Sequence, residues 1–125
     1  MEEGLKPTPS CVDVDIDQIS AYLLGWIVGD GGLCKLSYSG GRTEYRVVVT
    51  QKDLSTATRC LVPLFESLCG MLNVTSKVRV IRGSTRVEVR VSSKKLYEHF
   101  TALLTRLLEF TERERWLFIA GFYMA

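Results

Sequence analysis

The 125-residue sequence has no CxxC pair, one histidine, three prolines and no apolar run of membrane-spanning length. Its longest apolar stretches, Ala21–Val28 and Trp116–Ala125, fall well short of the ~20 residues a span requires. The opening MEEGLKPTPS carries two acids and no apolar core, so no secretory signal is read there, and an intracellular setting is expected. Cys11, Cys34, Cys60 and Cys69 have neither zinc-ligand spacing nor a nearby histidine, and they read as reduced, mostly buried thiols. With 46% apolar and 24% charged residues, the composition excludes a disordered or collagen-like chain and fits one domain with one core. The net charge of +2 alone argues neither for nor against nucleic acid.

What is present is segregation of that charge. Segments 34–53 and 77–95 hold eleven basic residues against three acids, Glu44, Asp53 and Glu88, so the rest of the chain is strongly acidic. Both stretches also read as β-hairpins. LCKLSYS, a Ser39-Gly40-Gly41 turn and TEYRVVVTQ make the first; SKVRVIR, a Gly83-Ser84 turn and TRVEVRVS make the second. Alternation puts Tyr45, Val47 and Val49 on one face and Glu44, Arg46, Val48 and Thr50 on the other; Thr85, Val87, Val89 and Val91 likewise alternate with Arg86, Glu88 and Arg90.

Helical patterns flank the hairpins. Residues 1–18 read as an extended leader; Ser20 is the expected cap of a short apolar helix stopped by Gly31-Gly32. Asp53 or Ser55 should start a helix with a Leu54, Ala57, Leu61, Leu64, Leu68, Leu72 stripe, kinked or divided by Pro63 and closed near Asn73. Ser93 should cap a helix whose stripe runs from Leu96 to Leu108, and Thr111 with Glu114 forms a capping box before WLFIAGFYMA. The expected fold is α+β, ordered α-ββ-α-ββ-α: a four-stranded antiparallel sheet with helices on one face and an open basic face. Trp26 and Trp116 are assigned to packing and His99 to a structural role.

The first and last helices match each other. Aligning LLGWIVG with IAGFYMA pairs Gly25 with Gly121 and Gly29 with Ala125. Small residues four apart share a helix face and let two backbones approach closely. The interface is therefore assigned to Leu24, Gly25, Val28, Gly29, Ala120, Gly121 and Ala125. LLGWIVGDG resembles the LAGLIDADG motif of homing endonucleases, FIAGFYMA resembles the same motif cut before its acidic residue, and the element order is that of the family's half-fold.

The resemblance implies a division into a leader (1–18), a LAGLIDADG half-domain (19–115) and the start of a second motif helix (116–125). It implies a site-specific endonuclease that binds a double-stranded DNA target in the major groove. The cofactor implied is Mg²⁺, with Mn²⁺ or Ca²⁺ substituting in binding. Asp30 matches the first metal-binding carboxylate, with Gly29 and Ala125 beside the metal; Gln51 matches a solvent-orienting residue, and Lys52 follows it as a phosphate contact. Positions matching DNA contacts are Tyr38, Arg42, Glu44, Arg46, Arg79, Thr85, Arg86 and Arg90; Lys35, Lys77 and Arg82 join them on charge and location alone. Strict alternation puts Gln51 on the apolar face, so either a β-bulge lies near it or the Gln51 assignment fails. With one carboxylate, the chain requires a second LAGLIDADG half-domain, as a separate chain, a fused domain or a copy of itself. A non-cleaving module that binds DNA or intron RNA, maturase-like, is the alternative.

Overall fold

The computed structural model describes residues 15–125. The expected leader, and Cys11 within it, lies outside the described residues except at its end, where α1 (Ile16–Asp30) begins earlier than expected. Asp15, not Ser20, is the N-cap, its side chain accepting from Gln18 N at 2.8 Å. Ser20 is instead buried within α1, its hydroxyl 2.8 Å from His99 Nε2. A hydroxyl with a partner 79 positions away can sit inside a helix at little cost.

Strand β1 (Gly31–Ser37) follows α1 without a loop and pairs with β2 (Thr43–Gln51). Gly31 permits this, because a Cβ there would overlap the carbonyl oxygen of Val48. The β1–β2 turn places Gly40 and Gly41 at φ of 92° and 83°, where a side chain would be strained. A short helix α2 (Leu54–Thr56), capped by Asp53, widens into a π-turn over Ala57–Leu61 and continues as α3 (Val62–Met71). Pro63 explains the widening: it cannot donate to the Arg59 carbonyl, and the Val62 N–H bonds five residues back to Ala57. Asn73, at φ 57°, closes α3.

Strands β3 (Val78–Arg82) and β4 (Val87–Ser92) form the second hairpin, and β2–β4 pairing joins both hairpins in the order β1-β2-β4-β3. Helix α4 (Lys94–Thr105) is capped by Ser93 as expected. It stops short of the expected stripe: a 3-10 turn occupies Leu107–Glu109, and Leu108 is almost fully exposed. The Thr111/Glu114 capping box opens α5 (Glu112–Met124), with both reciprocal hydrogen bonds formed.

One face of the sheet, carrying Val47, Val49, Val87, Val89 and Val91, is buried under α1, α3 and α4 together with Trp26, Phe65 and Phe100. Each such side chain contributes roughly 1.5–3 kcal/mol on burial. Trp26 packs edge-on to Tyr22 and leaves its indole N–H buried without a hydrogen-bond partner. Trp116 departs from the packing assignment, being 63% exposed on α5. No helix among the described residues is long and apolar enough to cross a membrane.

Candidate nucleic-acid interface and metal-binding helix pair

Helix α1 packs against α5 more extensively than any other two elements pack. A Cβ on Gly25 would overlap the Phe118 carbonyl oxygen and lie 2.7 Å from Phe122 N; one on Gly121 would overlap the Tyr22 carbonyl oxygen. A Cβ on Gly29 would lie 2.5 Å from that of Ala125. Contacts advance together along both helices, so the helices run parallel, with Gly25 level with Gly121 and Gly29 level with Ala125. Their C-termini therefore meet, and the carbonyl ends of two helix dipoles point to one place. Asp30 is the last residue of α1 there; it is half-buried and has no hydrogen-bond or ion-pair partner among the described residues.

Register ties this point to one end of the sheet. Gly31 sits opposite Val49, two residues before Gln51. The β2–β4 pairing runs unbroken from Arg46↔Ser92 to Gln51↔Val87, so the expected bulge is absent. Gln51 stays on the helix-covered side, the side from which α1 delivers Asp30. Its Oε1 accepts from the N–H groups of Lys52 (3.1 Å) and Asp53 (3.4 Å), bracing the turn into α2. Beside it a shallow cavity of ≈ 260 Å³ is lined by Lys52, Arg82, Thr85 and Arg86, with no acid among its lining residues.

The sheet's other face is open and polar. Glu44, Arg46, Glu88, Arg90 and Ser92 lie across its two central strands, and Arg79 sits opposite Arg90 from β3. Glu44 is the hub: Arg46 Nε donates to Oε2 at 2.8 Å and Arg46 Nη2 to Oε1 at 3.2 Å. Tyr38 Oη donates to Oε1 at 2.7 Å, and Ser92 Oγ to Oε2 at 2.8 Å. Hydrogen bonds from Arg46 first, then Tyr38 and Ser92, hold the Glu44 carboxyl at about 2. Arg42 stacks over the Tyr38 ring at 4.7 Å. Glu88 holds Arg90 through a single 2.6 Å contact to Nε.

Comparison with known proteins fits this geometry. No family model matches the sequence. Over 111 residues the chain is 51% identical to the homing endonuclease I-DmoI of Desulfurococcus mucosus, which takes in 89% of this chain and 57% of that protein. Over that shared span the chain is homologous to this homing endonuclease. An I-DmoI variant in complex with its target DNA, nicked in the coding strand, in the presence of manganese superposes with a TM-score of 0.88 at 50% identity, over 90% of this chain and 63% of that one. I-DmoI in complex with DNA and calcium gives 0.88 at 51% identity, over 90% and 59%. The chain thus spans less than two thirds of the length of these relatives. The α+β fold, with four antiparallel strands in one sheet, is the LAGLIDADG half-fold.

Within that half-fold the sequence-derived residues separate into groups. Leu24, Gly25, Val28, Gly29, Ala120, Gly121 and Ala125 fall on the two crossing helices; Gly25 and Gly121 make the closest contact, while Val28 and Ala120 are exposed. Glu44, Arg46, Arg79 and Arg90 share the open face, and Tyr38 and Arg42 flank it at the β1–β2 turn. Thr85 and Arg86 lie exposed just before β4, and Lys77 just before β3. Lys35 is not on the open face: it lies opposite Tyr45 on the helix-covered side, with Nζ 5.7 Å from that ring, which Lys94 also approaches. Arg82 is off the open face too, opposite Val87. Ser92 escaped the sequence reading, because nothing local to β4 announces that β2 places Glu44 within its reach.

Proposed function

We propose that this chain is one half of a site-specific DNA endonuclease: the open sheet face enters the major groove of duplex DNA, and Asp30 supplies one of two metal-binding carboxylates. The observation that carries this is the parallel glycine-mediated crossing, which brings a carboxylate with no partner among the described residues to the joint carbonyl end of two helices.

Asp30 would hold the cation through its carboxylate, with the Gly29 and Ala125 carbonyls as further oxygen donors, a set that suits a hard divalent cation such as Mg²⁺. No group of three or more His, Cys, Asp or Glu side chains among the described residues could hold a metal. The remaining coordination would come from DNA phosphate, water and a second half-domain, whether a continuation of this chain, another polypeptide or a copy of this one. The exposed apolar residues of α5, Trp116, Ile119, Phe122, Tyr123 and Met124, support such a covering partner. When bound, the cation supplies activation of water and charge stabilisation at the cut phosphate. The chain's own part is to hold Asp30 rigidly, to brace the turn that carries Lys52 through Gln51, and to seat backbone phosphates on Lys52, Arg82 and Arg86.

In the assembled enzyme, Asp30→Asn should abolish Mg²⁺-dependent double-strand cleavage, a loss beyond about 100-fold, while duplex binding persists. Cleavage unchanged in that variant would refute the catalytic role. Duplex binding with no cleavage by the assembled wild type would favour the non-cutting alternative.

A further inference from the structure

The two central strands carry the same device on the open face, a glutamate two residues before an arginine, but the two copies are built unequally. In β4, Glu88 meets Arg90 through one contact, and Arg90 also faces the like charge of Arg79 across the β3–β4 pair. In β2, Glu44 receives four donors: Arg46 Nε, Arg46 Nη2, Tyr38 Oη and Ser92 Oγ. A carboxylate offers about four lone-pair sites, so Glu44 has no acceptor capacity left for a base. It is a poor candidate for a direct reader and a good one for a clamp. Ser92 anchors that clamp from the neighbouring strand, directly opposite Arg46. Arg46 has two of its three guanidinium nitrogens on Glu44, its Nη2 also reaches Tyr38 Oη at 3.5 Å, and both N–H groups of Nη1 have no partner among the described residues.

Resting on the DNA-reading conclusion above, we propose that Glu44 and Ser92 are positioning residues that hold Arg46 in a preset orientation, so that Arg46 selects a base with paired acceptors in the major groove, as guanine has. Orienting the guanidinium before binding spares the entropy of ordering it on the right base and denies it the reorientation by which a mobile arginine adapts to a wrong one. Selectivity at that base pair then depends on Ser92 although Ser92 touches no DNA. Arg90, held at one point, reads more loosely.

The test uses the chain itself and a library of random-sequence DNA duplexes, scoring the base preference of the recovered population, the salt dependence of its binding, and thermal unfolding. Ser92→Ala leaves every charge in place. It should lower the preference at the base pair facing Arg46 by about threefold, the scale of one hydrogen bond, with the salt slope unchanged. Ser92→Thr keeps the hydroxyl and should restore the preference. Glu44→Gln should weaken the preference at the same position while raising affinity for all sequences, because it removes a negative charge. An unaltered preference in Ser92→Ala, with the variant folded, overturns the proposal. So does a Glu44→Gln variant that prefers a different base at that position, which would make Glu44 itself the reader. If Ser92→Ala does not fold, Glu44→Gln and Ser92→Thr carry the same decision. A wild-type chain that enriches no sequence and binds duplex independently of salt removes the underlying DNA reading instead, and the clamp with it.

Discussion

Substitution of Gly25 by alanine tests the crossing on which the metal-site assignment stands. The added methyl would meet backbone, the Phe118 carbonyl oxygen and the Phe122 nitrogen at 2.7 Å, and backbone cannot rotate away as a side chain can. Restoring ordinary contact requires Phe122 N to retreat by about 0.7 Å or more, moving α5 bodily away from α1 and thinning the contacts along the whole crossing. Overpacking of this kind costs about 1–3 kcal/mol and more where backbone is struck, while alanine returns about 1 kcal/mol in helix propensity. Because the struck atoms are backbone, the net loss should lie at the upper end, about 2 kcal/mol, a fall of roughly 8–10 °C in Tm for a chain this size. Gly70→Ala is the matched control. Gly70 lies in α3 with nothing within 4 Å of its would-be Cβ, so the same substitution should raise stability by about 0.5–1 kcal/mol. Thermal and urea unfolding followed by circular dichroism reads both. Gly25→Ala as stable as wild type, beside a stabilised Gly70→Ala, would refute the close parallel crossing and the convergence of helix ends at Asp30.

Other consequences are measurable on the same protein. Affinity for mixed-sequence duplex should fall linearly with log salt, by about 0.9 per phosphate neutralised, and Arg82→Gln or Arg86→Gln should each reduce that slope by about one; an unchanged slope would remove the pair from the phosphate contacts. Glu44 is held at about 2 against an ordinary 4.5, so the unfolded chain takes up its proton first on acidification. The stability Glu44 contributes is complete above pH 4.5 and lost as pH falls towards 2, which Glu44→Gln should show as urea midpoints converging with wild type over that range. His99 is shifted the other way for a base: burial lowers its pKa below 6.5, outweighing the opposing pull of Asp17, and Arg106 adds to the lowering. Wild-type stability should therefore decline as pH drops below 6.5, and His99→Gln should flatten that decline; a parallel decline in the variant would assign it to other groups.

Local chemistry made much of this protein legible before folding. Alternating valines specified which face of β2 and β4 goes inward, because a strand's side-chain period is two whatever surrounds it. Ser93 and the Thr111–Glu114 pair announced helix starts because a cap bonds within three residues of itself. The Gly25/Gly29 and Gly121/Ala125 repeat announced a close crossing because only small residues allow one. Long-range partners stayed hidden, and they account for the errors. Ser20 looked like a cap because His99 lies 79 residues away. Gln51 seemed to require a bulge because a single strand does not show from which side α1 would bring Asp30.

What the sequence by itself determined is the element order, the inward faces, the matched helices and the concentration of cations in two hairpins. Only the tertiary structure decided how those cations differ. Register set Ser92 opposite Arg46 and so completed the clamp on Glu44; it turned Lys35 onto Tyr45 and gathered Lys52, Arg82 and Arg86 around one acid-free cavity. Composition counts charges, but whether an arginine is braced, opposed or unpaired depends on cross-strand neighbours a few ångströms away that lie tens of residues off along the chain.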